Sequence, residues 1–275
     1  MLFRLMLSGP GMRPLSCRQY LACLACWLFA AIVFLFAQRA DAAEGKVLKL
    51  GMYHSPPYYQ TENVTTPTGL SLDLLTPVAR QLGFGLQVVP CPFPRCLKMA
   101  EQGELDIVAG LINNQQRRQY LRFLSPPMMQ FHSAFVFYAK AGSPLKLEKL
   151  EDIQGHSVAV LRNGVYFPAF DNAKNFTRVP VNSEVIALEM VALGRVDFAI
   201  TVEKTALKSL QDAGLDVADL QRQPYSHQQH INGYLAFAKN SPHIAMATQI
   251  EAVLQQLAKQ GFYQQIWQQY GLTSK

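Results

Sequence analysis

The most informative pattern of the chain lies at residues 103–127, GELDIVAGLINNQQRRQYLRFLSPP. The apolar run at 106–111 predicts a buried strand, and residues 115–121 predict a short helix. Asn113 and Asn114 stand before that helix, where asparagine side chains accept hydrogen bonds from free backbone N–H groups. A buried strand followed closely by a helix is the building unit of a covered α/β sheet.

The same alternation of strand and helix signals extends in both directions from this stretch. Short apolar runs predict strands, and apolar residues at helical spacing, several of them followed by glycine, predict helices. The predicted strands are 47–53, 86–89, 106–111, 131–139, 157–161, 197–201 and 233–238. The longer predicted helices are 70–82, 97–102, 184–193, 204–212 and 244–259. The chain is therefore expected to form an α/β fold.

A small, turn-prone segment interrupts the alternation near the middle of the chain. Residues 141–144, AGSP, predict a boundary, after which strand and helix signals start again. The last strand and helices can return to complete the first unit. Lobe 1 is predicted to comprise residues 43–139 and 233–275, and lobe 2 residues 140–232. The chain would then cross between the lobes near 138–141 and 232–238, and two crossings form a hinge.

The N-terminus has the pattern of an export signal. Basic residues precede an unbroken apolar run at 21–37, and Ala40-Asp41-Ala42 then supplies the small residues that signal peptidase requires. We therefore expect residues 1–42 to be a signal peptide and the mature, periplasmic protein to begin at Ala43. An uncleaved membrane anchor is the alternative, because a run of roughly 17 residues is at the lower limit of what spans a bilayer.

The charge of the chain argues against nucleic acid as a partner. The full chain has 25 basic and 19 acidic residues. Four arginines and one aspartate belong to the predicted signal, so the net charge falls from +6 to about +3 without it. The remaining basic residues form no dense run of the kind that binds nucleic acid. Nucleic acid is therefore not an expected partner, and we expect a monomer.

Two cysteines remain after the predicted signal, Cys91 and Cys96. Two thiols at this short spacing in an oxidising compartment indicate a disulfide. A redox-active or metal-binding pair is the alternative, although the spacing is not Cys-x-x-Cys and no second ligand pair is near. His227 and His230 likewise lack a third ligand. Neither a metal site nor a cofactor is expected.

Short motifs follow one another along the chain in a characteristic order. They are SPPYY at 55–59, GLSLDL at 69–74, GELD at 103–106, FLSPP at 123–127, GRVD at 194–197 and YGL at 270–272. Together they resemble the bacterial extracellular solute-binding proteins of family 3, which include polar amino-acid receptors of ABC importers. The resemblance covers residues 47–272. It implies a type II periplasmic-binding-protein-like fold, with a ligand cleft between two lobes, and an inner-membrane ABC permease as partner.

The resemblance also implies which side chains hold the ligand. Arg117 stands six residues before Phe123, like the family's arginine that binds the ligand carboxylate, and its planar guanidinium suits that role. Phe93 matches the family's cleft aromatic, in a loop that the disulfide would hold. Tyr58 matches the aromatic beside the proline of the first loop. Ordinary packing in the core is the alternative for both rings.

Backbone and amino-group contacts are implied at three further positions. Gly110 and Gly164 match sites where the main chain approaches the ligand, although either can be a plain turn glycine. The family's carboxylate for an α-amino group is expected about five residues after Asp197, where this chain has Val202. Glu203, one residue further on, is the candidate for that contact. An amino acid or a related carboxylate is therefore the expected ligand.

Two other functions are open alternatives. A few proteins on this scaffold resemble cyclohexadienyl dehydratases, which use a carboxylate of the cleft as acid or base, and Glu203 would be that group. The sequence contains no legible nucleophile–base pair or phosphate loop, so we do not expect an enzyme. A sensory module that reports the solute to a membrane partner is the second alternative, and a retained N-terminal anchor would favour it.

Overall fold

The computed structural model describes residues 46–61 and 65–272, so the predicted signal peptide lies outside the described residues. The strands are β1 Val47–Met52, β2 Tyr59–Gln60, β3 Thr68–Gly69, β4 Gly85–Pro90, β5 Ile107–Leu111, β6 Leu121–Phe123, β7 Met129–Lys140, β8 Ser157–Leu161, β9 Thr177–Val181, β10 Phe198–Val202 and β11 Leu220–Ala238. The α-helices are α1 Leu70–Leu82, α2 Phe93–Glu101, α3 Pro168–Asn172, α4 Glu184–Ala192, α5 Glu203–Asp212, α6 Ala247–Lys259 and α7 Phe262–Gln269. The predicted α/β class is confirmed.

A nine-stranded sheet runs through the described chain in the order β4-β1-β5-β11-β7-β10-β8-β9, with β6 also paired to β11. In the first half, β1 is parallel to β4 and β5, and residues 234–238 of β11 pair antiparallel with β5 and β6. In the second half, β8 is parallel to β9 and β10. There β7 pairs antiparallel with β10 and with residues 220–233 of β11. The long strand β11 therefore joins the two halves.

An aspartate ties neighbouring parallel strands together in each half of the sheet. Asp106, directly before β5, accepts hydrogen bonds from the backbone N–H of Lys49 at 2.7 Å and from the hydroxyl of Ser241. Asp197, directly before β10, accepts hydrogen bonds from the backbone N–H and the hydroxyl of Ser157 at 2.7 and 2.8 Å. The GELD and GRVD motifs thus satisfy strand N–H groups that would otherwise lack a partner.

Helix α1 shows how the sequence pattern becomes packing. Leu70, Leu74 and Val78 recur every fourth residue and are fully buried on one face. Gly83 ends the helix in the left-handed conformation, with φ 70°, which glycine adopts without steric cost. The helix contacts α6 and α7 from the C-terminal part of the chain. The two C-terminal helices therefore pack on the first helix of the described residues.

Several predicted elements differ from the observed ones. The strand predicted at 233–238 is only the end of β11, which has 19 residues. Its earlier part is rich in polar residues, so no apolar run marks it, and its pairing with β7 holds it extended. The helix predicted at 97–102 begins earlier, at Phe93. The short helix predicted at 115–121 is a single 3-10 turn, Arg117–Gln119.

A disulfide joins Cys91 and Cys96, as predicted. It connects the end of β4 to α2, and both residues are buried. Closing this short loop restricts the unfolded chain, which stabilises the fold by about 2 kcal/mol in the chain-entropy model. The bond therefore anchors the first turn of α2.

Replacing both cysteines with alanine is expected to lower the melting temperature by about 4–8 °C. Thermal unfolding of the double variant under oxidising conditions measures the effect. Reducing agent should lower the melting temperature of the wild-type protein by a similar amount and leave the variant unchanged. Equal melting temperatures of variant and oxidised wild type would contradict the expectation.

Candidate functional site

A cavity of about 350 Å³ is lined by residues from both halves of the sheet. Most of its wall is apolar or aromatic, as is typical of sites that enclose a small ligand. The aromatic lining residues are Tyr53, Tyr58, Tyr59, Phe93, Phe131, Phe135 and Tyr166. Arg117 and Glu184 bring opposite charges to this wall. The cavity therefore combines apolar surface with a few polar anchor points.

Arg117 follows β5 and is only 4% exposed. Its guanidinium donates hydrogen bonds to the backbone carbonyl of Ile112 at 2.7 Å and to that of Asn163 at 2.8 Å. Burial lowers the pKa of Arg117, an effect that Tyr120 and Tyr53 partly offset. None of the ion pairs found among the described residues includes this side chain. Its positive charge faces the cavity with only neutral acceptors.

Phe93 lies against this guanidinium. It is the first residue of α2, after Pro92, and is not part of a loop as the sequence suggested. The central carbon of the guanidinium lies 5.4 Å from the centre of the ring, within the range of a cation–π contact. The ring of Tyr53 meets Phe93 edge-on, with centroids 4.9 Å apart. Phe93 thus supplies aromatic surface beside the buried cation, and Tyr53 supports its ring.

Gly110 is the last but one residue of β5 and has φ +72°. A Cβ atom at this position would lie 2.5 Å from the hydroxyl of Tyr59 and 2.9 Å from that of Tyr53. Its backbone carbonyl accepts a hydrogen bond from the hydroxyl of Tyr53 at 3.4 Å. Glycine therefore allows two tyrosines of the cavity wall to approach the main chain closely.

Tyr58 lies in the turn between β1 and β2 and is buried. Its ring packs beside that of Phe131, with centroids 5.8 Å apart. Burial raises the pKa of Tyr58 to about 12, so its hydroxyl stays protonated at neutral pH and can donate a hydrogen bond.

The turn after β8 brings the second half of the protein to the cavity. Asn163 has φ 60°, the left-handed conformation, and its carbonyl is the acceptor for Arg117. Gly164 donates its backbone N–H to the carbonyl of Leu161 at 2.7 Å. The backbone N–H of Leu161 donates to the hydroxyl of Tyr166 at 2.7 Å. This compact turn places Gly164 and Tyr166 in the cavity wall.

A second polar contact joins the two halves of the sheet structure. His54, which follows β1, lines the cavity, and Asp212 ends α5. The imidazole nitrogen Nε2 of His54 lies 3.2 Å from a carboxylate oxygen of Asp212. Like the hydrogen bond from Arg117 to Asn163, this contact joins residues that are distant in sequence.

The fold and the cavity agree with a comparison of the sequence to known families. Residues 48–273 match the family of bacterial extracellular solute-binding proteins, family 3. This chain belongs to that family. The resemblance noted in the motifs is therefore confirmed over nearly the same residues.

Solved structures share the fold of this family 3 solute-binding protein. A histidine kinase sensor domain with similarity to periplasmic binding proteins superposes with a TM-score of 0.68 and 20% identity, over 84% of this chain and 97% of that one. The arginine-, lysine-, histidine-binding protein ArtJ of Geobacillus stearothermophilus gives a TM-score of 0.64 and 19% identity, over 84% and 96%. These similarities show the type II periplasmic-binding-protein fold.

A curated relative is similar in sequence over part of its length. The membrane-bound lytic murein transglycosylase F of Idiomarina loihiensis is 30% identical over 174 residues, which are 60% of this chain and 37% of the relative. The chain thus spans little more than a third of that protein.

The structure brings most of the predicted site residues of this solute-binding protein to one cavity. Those that line it are Tyr58, Phe93, Gly110, Arg117 and Gly164. Their contact with a ligand stays a prediction. Glu203 is not among the lining residues. Its carboxylate accepts a hydrogen bond from Arg222 at 2.7 Å and its side chain is 42% exposed.

Glu184 is the carboxylate that the structure places in the cavity wall instead. Thr205 and Ser209 donate hydroxyl hydrogen bonds to its oxygen Oε2 at 2.8 and 3.4 Å. Burial raises the pKa of Glu184, while these hydrogen bonds act in the opposite direction. Sequence reasoning missed it, because an acidic residue in the first turn of a helix is common wherever the helix lies.

Two features are absent from the described residues of this solute-binding protein. Within 46–61 and 65–272, no group of three His, Cys, Asp or Glu side chains is placed to hold a metal ion. None of the helices in the same residues combines the length and apolar composition that a membrane crossing needs.

Proposed function

We propose that this protein captures a small solute carrying a carboxylate, an amino acid or a related acid, for ABC-type import. The observation that carries the proposal is Arg117, a buried cation that faces the cavity without a carboxylate partner among the described residues. An uncompensated buried charge destabilises a protein by several kcal/mol. A ligand carboxylate would compensate it through charge-assisted hydrogen bonds.

The remaining walls support a ligand with an apolar or flat portion. Phe93 and Tyr58 would contact that portion, and the backbone at Gly110 and Gly164 would approach its polar end. The solved neighbour from Geobacillus stearothermophilus is described as binding arginine, lysine and histidine, which agrees with an amino-acid ligand here.

Ligand capture would proceed by closure of two lobes about a hinge. We place the two chain crossings between the lobes at the start of β7 and at the point where β11 passes from one half of the sheet to the other. These points are near Met129 and Gly233, which lie opposite each other in the paired strands. Residues 135–138 of β7 pair with β10, which favours counting most of β7 with lobe 2. The contacts of Arg117 with Asn163 and of His54 with Asp212 would close the lobes over the ligand.

The predicted signal peptide and the extracellular character of the family support a periplasmic protein. The closed form of a monomer would then be the species that an inner-membrane permease recognises. The proposal contains no chemical step. Glu203, which the enzyme alternative requires as acid or base, pairs with Arg222 outside the cavity.

A sensory role is the second candidate, favoured by one of the similar proteins, which is a histidine kinase sensor domain. Uptake of the identified ligand by cells lacking the gene separates the two roles. Lost uptake supports import, whereas normal uptake with a lost response to the solute supports sensing.

The proposed binding is tested by thermal unfolding against a panel of small molecules. The panel contains the common L-amino acids, short mono- and dicarboxylates, and amines of matched size that lack a carboxylate. At least one carboxylate at 100 times its dissociation constant is expected to stabilise the protein by about 2.7 kcal/mol, which raises the melting temperature by about 5–10 °C. A shift with amines or neutral molecules alone would contradict the proposal.

A further inference from the structure

Two opposite charges face the same cavity without pairing with each other. Arg117 lies in the first half of the protein and Glu184 in the second, and both line the wall. No ion pair within 4.0 Å joins them or links either to another side chain among the described residues. Yet both charges act on the hydroxyl of Tyr53. Burial raises the pKa of this hydroxyl most; of the two charges, Arg117 lowers the pKa and Glu184 raises it. The two groups therefore border one space.

The contacts of Glu184 leave it able to accept further hydrogen bonds. The hydroxyls of Thr205 and Ser209 both donate to Oε2. A carboxylate has two oxygens with about four acceptor positions. The hydroxyl of Thr201 and the backbone N–H of Val202 also lower the pKa of Glu184, but both hydrogen bonds found for this carboxylate among the described residues end on Oε2, which leaves capacity on Oε1. Thr205 and Ser209 come from α5 and themselves line the cavity. They hold the carboxylate in place at the wall.

A purely local role for Glu184 does not account for this arrangement. An acidic residue in the first turn interacts favourably with the helix dipole, and it does so equally well at the surface. Glu203 shows this: it is the first residue of α5, as Glu184 is of α4. Glu203 is 42% exposed and pairs with Arg222, whereas Glu184 is half-buried at the cavity wall, is held by two hydroxyls and has no cationic partner among the described residues. The dipole gains nothing from this position at the cavity wall, where desolvation disfavours the charged form.

We propose that Glu184 binds the cationic group of the ligand while Arg117 binds its carboxylate, so that the site selects small zwitterions over plain carboxylic acids. The inference rests on the proposed function and adds the second charge of the ligand. It also moves the amine contact from the position after Val202, where the sequence suggested Glu203, to the start of α4. A buried carboxylate hydrogen-bonded to an ammonium group is compensated, and without that partner it is not.

The test compares each L-amino acid with the same molecule lacking its amino group, for example leucine with 4-methylpentanoate and phenylalanine with 3-phenylpropanoate. Calorimetry on the wild-type protein is expected to give at least about tenfold tighter binding of the best amino acid than of its deamino partner. This comparison needs no variant. Equal affinities would overturn the inference and leave the proposed function standing, whereas no binding of any carboxylate would overturn both.

The variant Glu184→Gln keeps the shape and the acceptor oxygen for Thr205 but removes the charge. We expect it to weaken binding of the amino acid about 10- to 100-fold and to change binding of the deamino partner less than about threefold. Glu203→Gln, the same change at the start of the next helix, should alter neither affinity. A Glu184→Gln protein with an unchanged preference for the amino acid would overturn the inference.

Discussion

Arg117→Ala is expected to lower the affinity for a carboxylate ligand by about 10²- to 10⁴-fold. Each charge-assisted hydrogen bond contributes about 1.5–3 kcal/mol, and a guanidinium offers two in parallel to one carboxylate. The substitution also removes the hydrogen bond to the carbonyl of Asn163, which links the two halves across the cavity. Isothermal calorimetry with the strongest ligand of the panel measures the loss.

The neighbouring residue provides the matched control. Arg118 is exposed, and its side chain hydrogen-bonds only locally to Asn113 among the described contacts. Arg118→Ala should therefore bind the ligand as tightly as the wild type. If Arg118→Ala lost affinity and Arg117→Ala kept it, the anion would bind elsewhere. Thermal unfolding of both variants without ligand verifies that they are folded.

Gly110→Ala is expected to lower the free energy of unfolding by about 2–5 kcal/mol. The backbone conformation, with φ +72°, costs an L-residue about 1–2 kcal/mol. The added Cβ would also lie 2.5 Å from the hydroxyl of Tyr59. Tyr59 is 2% exposed, so its displacement disturbs a packed region and adds a cost of about 1–3 kcal/mol. Urea unfolding measures the sum.

Gly142→Ala separates the two causes. Gly142 has the same φ, +72°, but no atom lies within 4 Å of the position that a Cβ would take. Its replacement should cost only the backbone contribution, about 1–2 kcal/mol. If both variants lost the same free energy of unfolding, Tyr53 and Tyr59 would move away from the new Cβ at Gly110 at little cost. Ligand affinity should fall only in Gly110→Ala, because only that glycine lines the cavity.

Much of the fold was predictable because its signals are local. Helix α1 was predicted with its observed bounds, since leucines at helical spacing and a terminal glycine depend only on the residues themselves. The disulfide followed from two cysteines near each other in sequence. The motifs also led to five residues that the structure brings to one cavity, Arg117 among them.

The long strand β11 was not predictable in the same way. Its first part is polar and lacks an apolar run, and pairing with β7 along that part holds it extended. Such pairing joins segments that are far apart in sequence. No local pattern in either segment encodes it.

The alternation of strands and helices, the disulfide and the arginine before FLSPP could be predicted from the residues alone, because each depends on neighbouring residues. Glu184 and Glu203 could not be told apart in that way, since both are glutamates at the first position of a helix. Their difference arises from the packing of distant segments. The way each helix packs on the sheet turns the first toward the cavity and leaves the second at the surface beside Arg222.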